Sequence, residues 1–92
     1  MIASFRSKAL RLFWQRSDRK HLPPAQVKRI RLILDRLHAS EVPSDMNLPG
    51  LDFHALKGDR RGTYSVKVTG NWRITFGWSG EDATDVDFED YH

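Results

Sequence analysis

The sequence predicts an α+β fold in which two N-terminal helices pack on one face of a mainly antiparallel sheet of four to five strands. Two observations carry this expectation. Through Ala39 the apolar residues recur at three- and four-residue spacing, whereas from Leu51 onward they alternate with polar ones. Short turn signals at Gly58–Gly62, Gly70-Asn71 and Ser79–Asp82 then join the alternating segments, as in an antiparallel meander. Helices that come first and strands that follow place both helices on the same side of the sheet.

Taken in order, Ile2-Ala3-Ser4-Phe5-Arg6 suits a short first strand. Leu10, Phe13 and Trp14 lie at i, i+3 and i+4, opposite Lys8, Arg11 and Gln15, which predicts a short helix over about residues 7–16. Ser17–Leu22 is polar and reads as a loop. Pro23-Pro24 fits a helix start, where a missing N–H costs nothing. Val27, Ile30, Leu34 and Leu37, widened by Ile33, form the apolar stripe of the second helix, with Lys28, Arg29, Arg31 and Arg36 around the rest of its circumference. Ser40–Pro49 is turn-like. Strands are expected over Asp52–Leu56, Thr63–Val68, Trp72–Trp78 and Asp85–Glu89.

Ninety-two residues allow one domain, spanning 1–92, that buries roughly 65% of the surface its unfolded chain exposes. The absence of cysteine excludes a disulfide scaffold, a thiolate metal site and a cysteine nucleophile. No apolar run approaches the roughly 18 residues of a membrane span. The N-terminus lacks the apolar stretch of a signal peptide, so a soluble cytoplasmic protein is expected. The net charge of +3 hides a split: residues 1–80 hold all fifteen Lys and Arg against six acids (+9), and residues 81–92 hold six acids and no base (−6). Such a field suits a polyanionic partner, or else internal neutralisation of the acidic strand by basic neighbours.

If Tyr64, Val66, Val68, Trp72, Ile74 and Phe76 face the helices, the opposite face carries Ser65, Lys67, Arg73 and Thr75. It is then wet, partly basic and bordered by Lys57, Arg60 and Arg61. His21 and His38 read as solvated helix-surface residues. His54 alternates with Phe53 and Ala55, so it points to the open face if those two point inward. Asp90 and His92 are two apart and share a side of an extended strand. His54, Asp90 and His92 could ligate zinc or manganese, but no paired-histidine motif supports that. Acid–base chemistry on RNA fits the same residues better. An imidazole with a pKa near ~6.5 both takes and gives a proton, and Arg and Lys offset charge on a phosphorane. A surface histidine beside a fraying chain end is the plain structural alternative.

The stretch from His54 to Phe76, with Leu56-Lys57-Gly58 and Asn71-Trp72-Arg73, resembles the HigB group of the RelE toxin superfamily. So does the ending Asp82–His92, with its terminal Asp90-Tyr91-His92. Ile2–Leu10 matches more loosely, and the middle helix agrees in character. The resemblance implies a RelE-like fold and a toxin of a type II toxin–antitoxin pair. Such toxins bind in the ribosomal A site against small-subunit rRNA and cut the mRNA there. The substrate's own 2′-OH attacks, without a metal or other cofactor, and leaves a 2′,3′-cyclic phosphate and a 5′-OH. A HigA-like helix-turn-helix antitoxin neutralises the toxin, and the complex, not the toxin alone, meets operator DNA. No membrane is involved.

Carried over by residue, the resemblance makes His54 a catalytic-site histidine, Lys57 and Arg73 phosphate contacts, and Asp90, Tyr91 and His92 the C-terminal part of the site. Asp90 or His54 is then the base and His92 the acid, while Tyr91 stacks on or positions a nucleobase. Arg60, Arg61, Lys67 and the basic helix faces are expected to hold RNA. The competing reading is a catalytically silent RNA- or DNA-binding partner of the antitoxin, acting in operon autoregulation. A DNA-binding module in its own right is disfavoured, because the loop between the helices exceeds the 3–4 residues of a helix-turn-helix. His92 ends the sequence, and a terminal α-carboxylate favours its imidazolium. A C-terminal tag is therefore expected to depress any activity more than an N-terminal one; equal activity of the two tagged proteins removes the carboxylate from the chemistry.

Overall fold

Ser7 starts the first helix. Its hydroxyl accepts the Leu10 amide at 3.1 Å and so satisfies one of the unpaired first-turn N–H groups. In the computed structural model, which describes residues 1–91, this helix (α1) spans Lys8–Arg16 and ends at Ser17 in the left-handed conformation, φ 56°. The second helix (α2, Val27–Ala39) is entered through a 3-10 turn over Pro24–Gln26. Residues 17–26 thus separate the two helices, well beyond the span of a helix-turn-helix. No described helix is long and apolar enough to cross a membrane.

Four strands follow: β1 (His54–Ala55), β2 (Thr63–Thr69), β3 (Trp72–Ser79) and β4 (Asp82–Asp90). They form one antiparallel sheet in the order β1-β2-β3-β4. Two-residue loops, Gly70-Asn71 and Gly80-Glu81, make the two inner hairpins, and both glycines adopt positive φ as tight turns require. The expected α+β architecture is the observed one.

The ends of the sheet differ from expectation. Residues 2–6 make only two parallel bridges to β4, Ile2 to Ala83 and Phe5 to Val86. Asp85, just before Val86, is left-handed (φ 50°), and at this bulge the two bridges fall three residues apart where a regular ladder spaces its bonded positions by two. β1 is likewise cut to two residues, because Asp52 is left-handed (φ 48°) and cannot continue a ladder.

The core lies between the helices and one sheet face. Leu10, Phe13, Ile30, Ile33, Leu34 and Leu37 meet Val66, Val68, Ile74, Phe76, Ala83 and Val86, all buried. Phe53, Tyr64 and Phe76 stack in series at 5.8 and 5.7 Å, and Trp72 stacks on Phe88 at 4.5 Å. The opposite face is only in part the wet surface the sequence suggests: His54 and Lys67 are exposed, but Ser65 and Thr75 are each 1% exposed, because charged side chains lie over them.

Two residues read as surface groups hold the fold instead. Arg29 of α2 donates to the carbonyls of Val68, Gly50 (2.7 Å) and Lys67 (3.2 Å), tying the helix to the end of β2. His38 packs on Trp14 at 5.2 Å, and its Nδ1 accepts the Ile2 amide at 3.2 Å. Gly77 of β3 sits where a Cβ would lie 2.8 Å from the Thr84 hydroxyl across the bulge. Gly77→Ala is expected to destabilise by about 1–3 kcal/mol, read as a lower denaturant midpoint at unchanged m. Thr84→Ala in the same chain should return part of the loss.

Candidate active site

The side chains that could do chemistry stand in two rows across the non-core face. One row is Lys67 (β2), Arg73 (β3) and Glu89 (β4); the other is His54 (β1), Ser65, Thr75 and Asp87. Strand alternation brings Tyr91, two residues past Glu89, to the same side. Its amide donates to the Asn71 carbonyl at 2.7 Å, which keeps the tail aligned beyond the end of β4.

Two charged clusters occupy this face. Arg73, with its side chain only 12% exposed, donates to the Ser65 hydroxyl and then grips Asp52 twice: Nη2 to the backbone carbonyl at 2.6 Å and Nη1 to Oδ2 at 3.3 Å. The other carboxylate oxygen of Asp52 lies 3.0 Å from His54 Nε2. The hydrogen bond from Arg73 is the main cause that lowers the Asp52 carboxyl below its ordinary range, with His54 adding to it. The Arg73 guanidinium also lies 6.0 Å from the centre of the Tyr91 ring, the outer limit of a cation–π contact.

In the second cluster Arg60 and Glu89 form a bidentate pair, 2.6 and 2.9 Å, to which Thr75 adds a hydroxyl donor. Arg60 Nη1 reaches the Tyr91 hydroxyl as well, at 3.2 Å. The Arg60 bonds hold the Glu89 carboxyl below the usual glutamate range, and Glu89 raises Arg60 in return. A cavity of about 220 Å³, lined in part by Arg6, Arg60, Thr75 and Asp87, opens beside this pair.

The structure therefore gathers His54, Arg73, Tyr91 and Arg60 along one continuous set of contacts. Lys57, Arg61 and Lys67 are exposed around it and hold no ion pair among the described residues. Asp90 stands across from Trp72 and alternates with Glu89 and Tyr91, so it lies toward the core side of the sheet edge. His92 lies outside the described residues. No three His, Cys, Asp or Glu among the described residues are grouped to hold a metal ion.

The model of the HigB-like toxin family, the RelE-like toxins of the type II toxin–antitoxin system HigB, matches residues 3–92. The chain belongs to the HigB-like toxin family. Endoribonuclease HigB of Proteus vulgaris is 37% identical over 92 residues, the whole of both chains. Toxin HigB-1 of Vibrio cholerae serotype O1 is 30% identical over 80 residues, covering 85% of this chain and 84% of that one. As a HigB-like toxin of a type II system, the chain pairs with an antitoxin.

Two members of the cluster were not singled out in the sequence. Asp52 lies in a segment read as plain strand, and its left-handed backbone leaves no periodicity signal. Glu89 is one of six acids in the tail; its spacing of two from Asp87 and from Tyr91 is the available clue. Arg60, expected to be an RNA-facing cation, is instead committed to Glu89 because the 3-10 turn over Gly58–Arg60 carries it above β4.

The lowered Glu89 carboxyl makes stability depend on pH. Its contribution is present above the unfolded glutamate pKa and is lost as pH falls through the lower folded value, while Arg60 stays charged throughout. Glu89→Gln is expected to cost about 1–2 kcal/mol near neutrality, discounted for the partial exposure of Arg60. Urea titrations should show the wild-type advantage shrinking toward zero on acidification below the ordinary glutamate range.

Proposed function

We propose that this HigB-like toxin is an endoribonuclease that cuts mRNA on the ribosome. The observation that carries the reading is the meeting of His54, Arg73 and Tyr91 on one sheet face, in a chain that aligns end to end with a relative named as an endoribonuclease.

The chemistry needs three things: a base for the 2′-OH, positive charge for the phosphorane, and an acid for the departing 5′-oxygen. His54 takes the proton from the 2′-OH, which attacks the adjacent phosphorus. Arg73 and Lys57 offset the charge that builds on the non-bridging oxygens. His92 returns a proton to the 5′-oxygen as the P–O5′ bond breaks, leaving a 2′,3′-cyclic phosphate and a 5′-OH. Tyr91, steadied by Arg60, offers a ring on which a base can stack, worth about 1–3 kcal/mol.

The site lies on an open face, and its two best-held cations already carry carboxylate partners. It therefore has little means of orienting a flexible RNA by itself. The ribosomal A site supplies that orientation, and positioning of this kind is worth ~7–11 kcal/mol. Arg61, Lys67 and the remaining basic side chains of the helices meet ribosomal RNA. The antitoxin is a HigA-like helix-turn-helix protein through which the complex reaches operator DNA, and the toxin acts in the cytoplasm.

Mapping mRNA 5′ ends after induction tests the reading. Wild-type protein is expected to create new ends inside translated regions. His54→Ala and His92→Ala should each reduce them by about a hundredfold or more with the fold intact, and a free oligonucleotide should be cut weakly or not at all. Growth arrest that persists unchanged in His92→Ala points instead to a silent binding protein.

A further inference from the structure

We propose that Asp52 is a positioning residue for His54: it holds the imidazole with its proton on Nε2 and so presents the Nδ1 lone pair to the substrate. The proposal rests on the nuclease reading above and adds to it the group that sets which ring nitrogen reacts.

The geometry begins at Arg73. Its guanidinium is nearly enclosed and fixed from below by Ser65, so it is a rigid anchor. It donates to both the backbone carbonyl and Oδ2 of Asp52, which leaves Oδ1 beside His54 Nε2, 3.0 Å away. A neutral ring with its Nε2 lone pair turned toward that carboxylate would set two electron-rich atoms against each other. The proton therefore resides on Nε2, and Nδ1 is the acceptor. The same logic governs any histidine base whose second nitrogen is held by a carboxylate.

An exposed Asp–His pair between freely rotating side chains carries little weight. This one differs in two respects. Both carboxylate oxygens and the carbonyl of Asp52 are engaged, and its backbone is held at φ 48°, a region that L-residues other than Asn and Asp rarely enter. That conformation ends the ladder of β1 early and turns the carboxylate back over the sheet face. Strain that costs a strand its pairing and delivers a carboxylate to a candidate base is the pattern seen where backbone conformation serves a site.

The left-handed backbone also supplies clean variants. Asp52→Gly removes the side chain where glycine is at ease, whereas Asp52→Asn keeps the conformation but has one amide oxygen for two donors; with that oxygen on Arg73, its NH2 faces Nε2 and favours the proton on Nδ1. The full-length chain is used for two measurements. Long-range nitrogen–proton NMR of the neutral His54 ring is expected to show the Nε2–H form in wild type, a mixture of both forms in Asp52→Gly and the Nδ1–H form in Asp52→Asn. Cutting of mRNA on translating ribosomes should fall in kcat by about tenfold to a hundredfold in Asp52→Gly, a share of the ~10²–10⁴-fold a positioned base supplies. KM should hold, Asp52→Asn should lose at least as much kcat as Asp52→Gly, and Asp52→Gly should add nothing in a His54→Ala background. An unchanged tautomer, an unchanged kcat, or a full further loss in the His54→Ala background overturns the proposal. Failure of the wild-type chain to cut at all rejects the nuclease reading instead, and the ring measurement still decides the Asp52–His54 pairing.

Discussion

Arg73 is the side chain on which the non-core face is organised. It stands on the third strand, one of the sheet's two inner strands, and its guanidinium reaches Ser65 on β2, Asp52 ahead of β1 and the neighbourhood of Tyr91 beyond β4. A planar fork with five donors can serve such a set of acceptors at once, where an ammonium could not. That anchor adds to the two paired residues of β1, the Arg29 bond to Gly50 and the stack of Phe53 on Tyr64, which together hold this segment on the sheet.

The acidic C-terminal strand serves the fold as much as it balances charge. Glu89 locks Arg60 and, through it, the Tyr91 hydroxyl. Thr75 and Ser65, buried beneath the two charged clusters, satisfy their hydroxyls in those same networks. A face that would be soft if fully hydrated becomes a fixed arrangement of charges, and fixed charges need not reorganise when a phosphate gains negative charge. The cations without ion pairs, Lys57, Arg61 and Lys67, surround that fixed centre and remain available to a mobile polyanion.

Much of this could be read in the amino-acid order. Both helices follow from apolar spacing, and the α2 stripe of Val27, Ile30, Leu34 and Leu37 is buried as its period requires. The inner hairpins follow from Gly70-Asn71 and from Ser79–Asp82. His54 and Arg73 were candidates from alternation and residue chemistry. Asp52, Glu89 and the structural roles of Arg29 and His38 were not legible, because each depends on a partner between 21 and 39 positions away, or on a backbone turn that no periodicity marks.

The division has a physical cause. Period, turn chemistry and side-chain type are local, so the order of residues by itself determined the elements, the inward face of the sheet and the list of groups able to move protons or offset charge. Which carboxylate meets which cation is set by register between strands, by two left-handed aspartates and by a short 3-10 turn. Those are outcomes of packing the whole chain at once, and only the tertiary structure decided them.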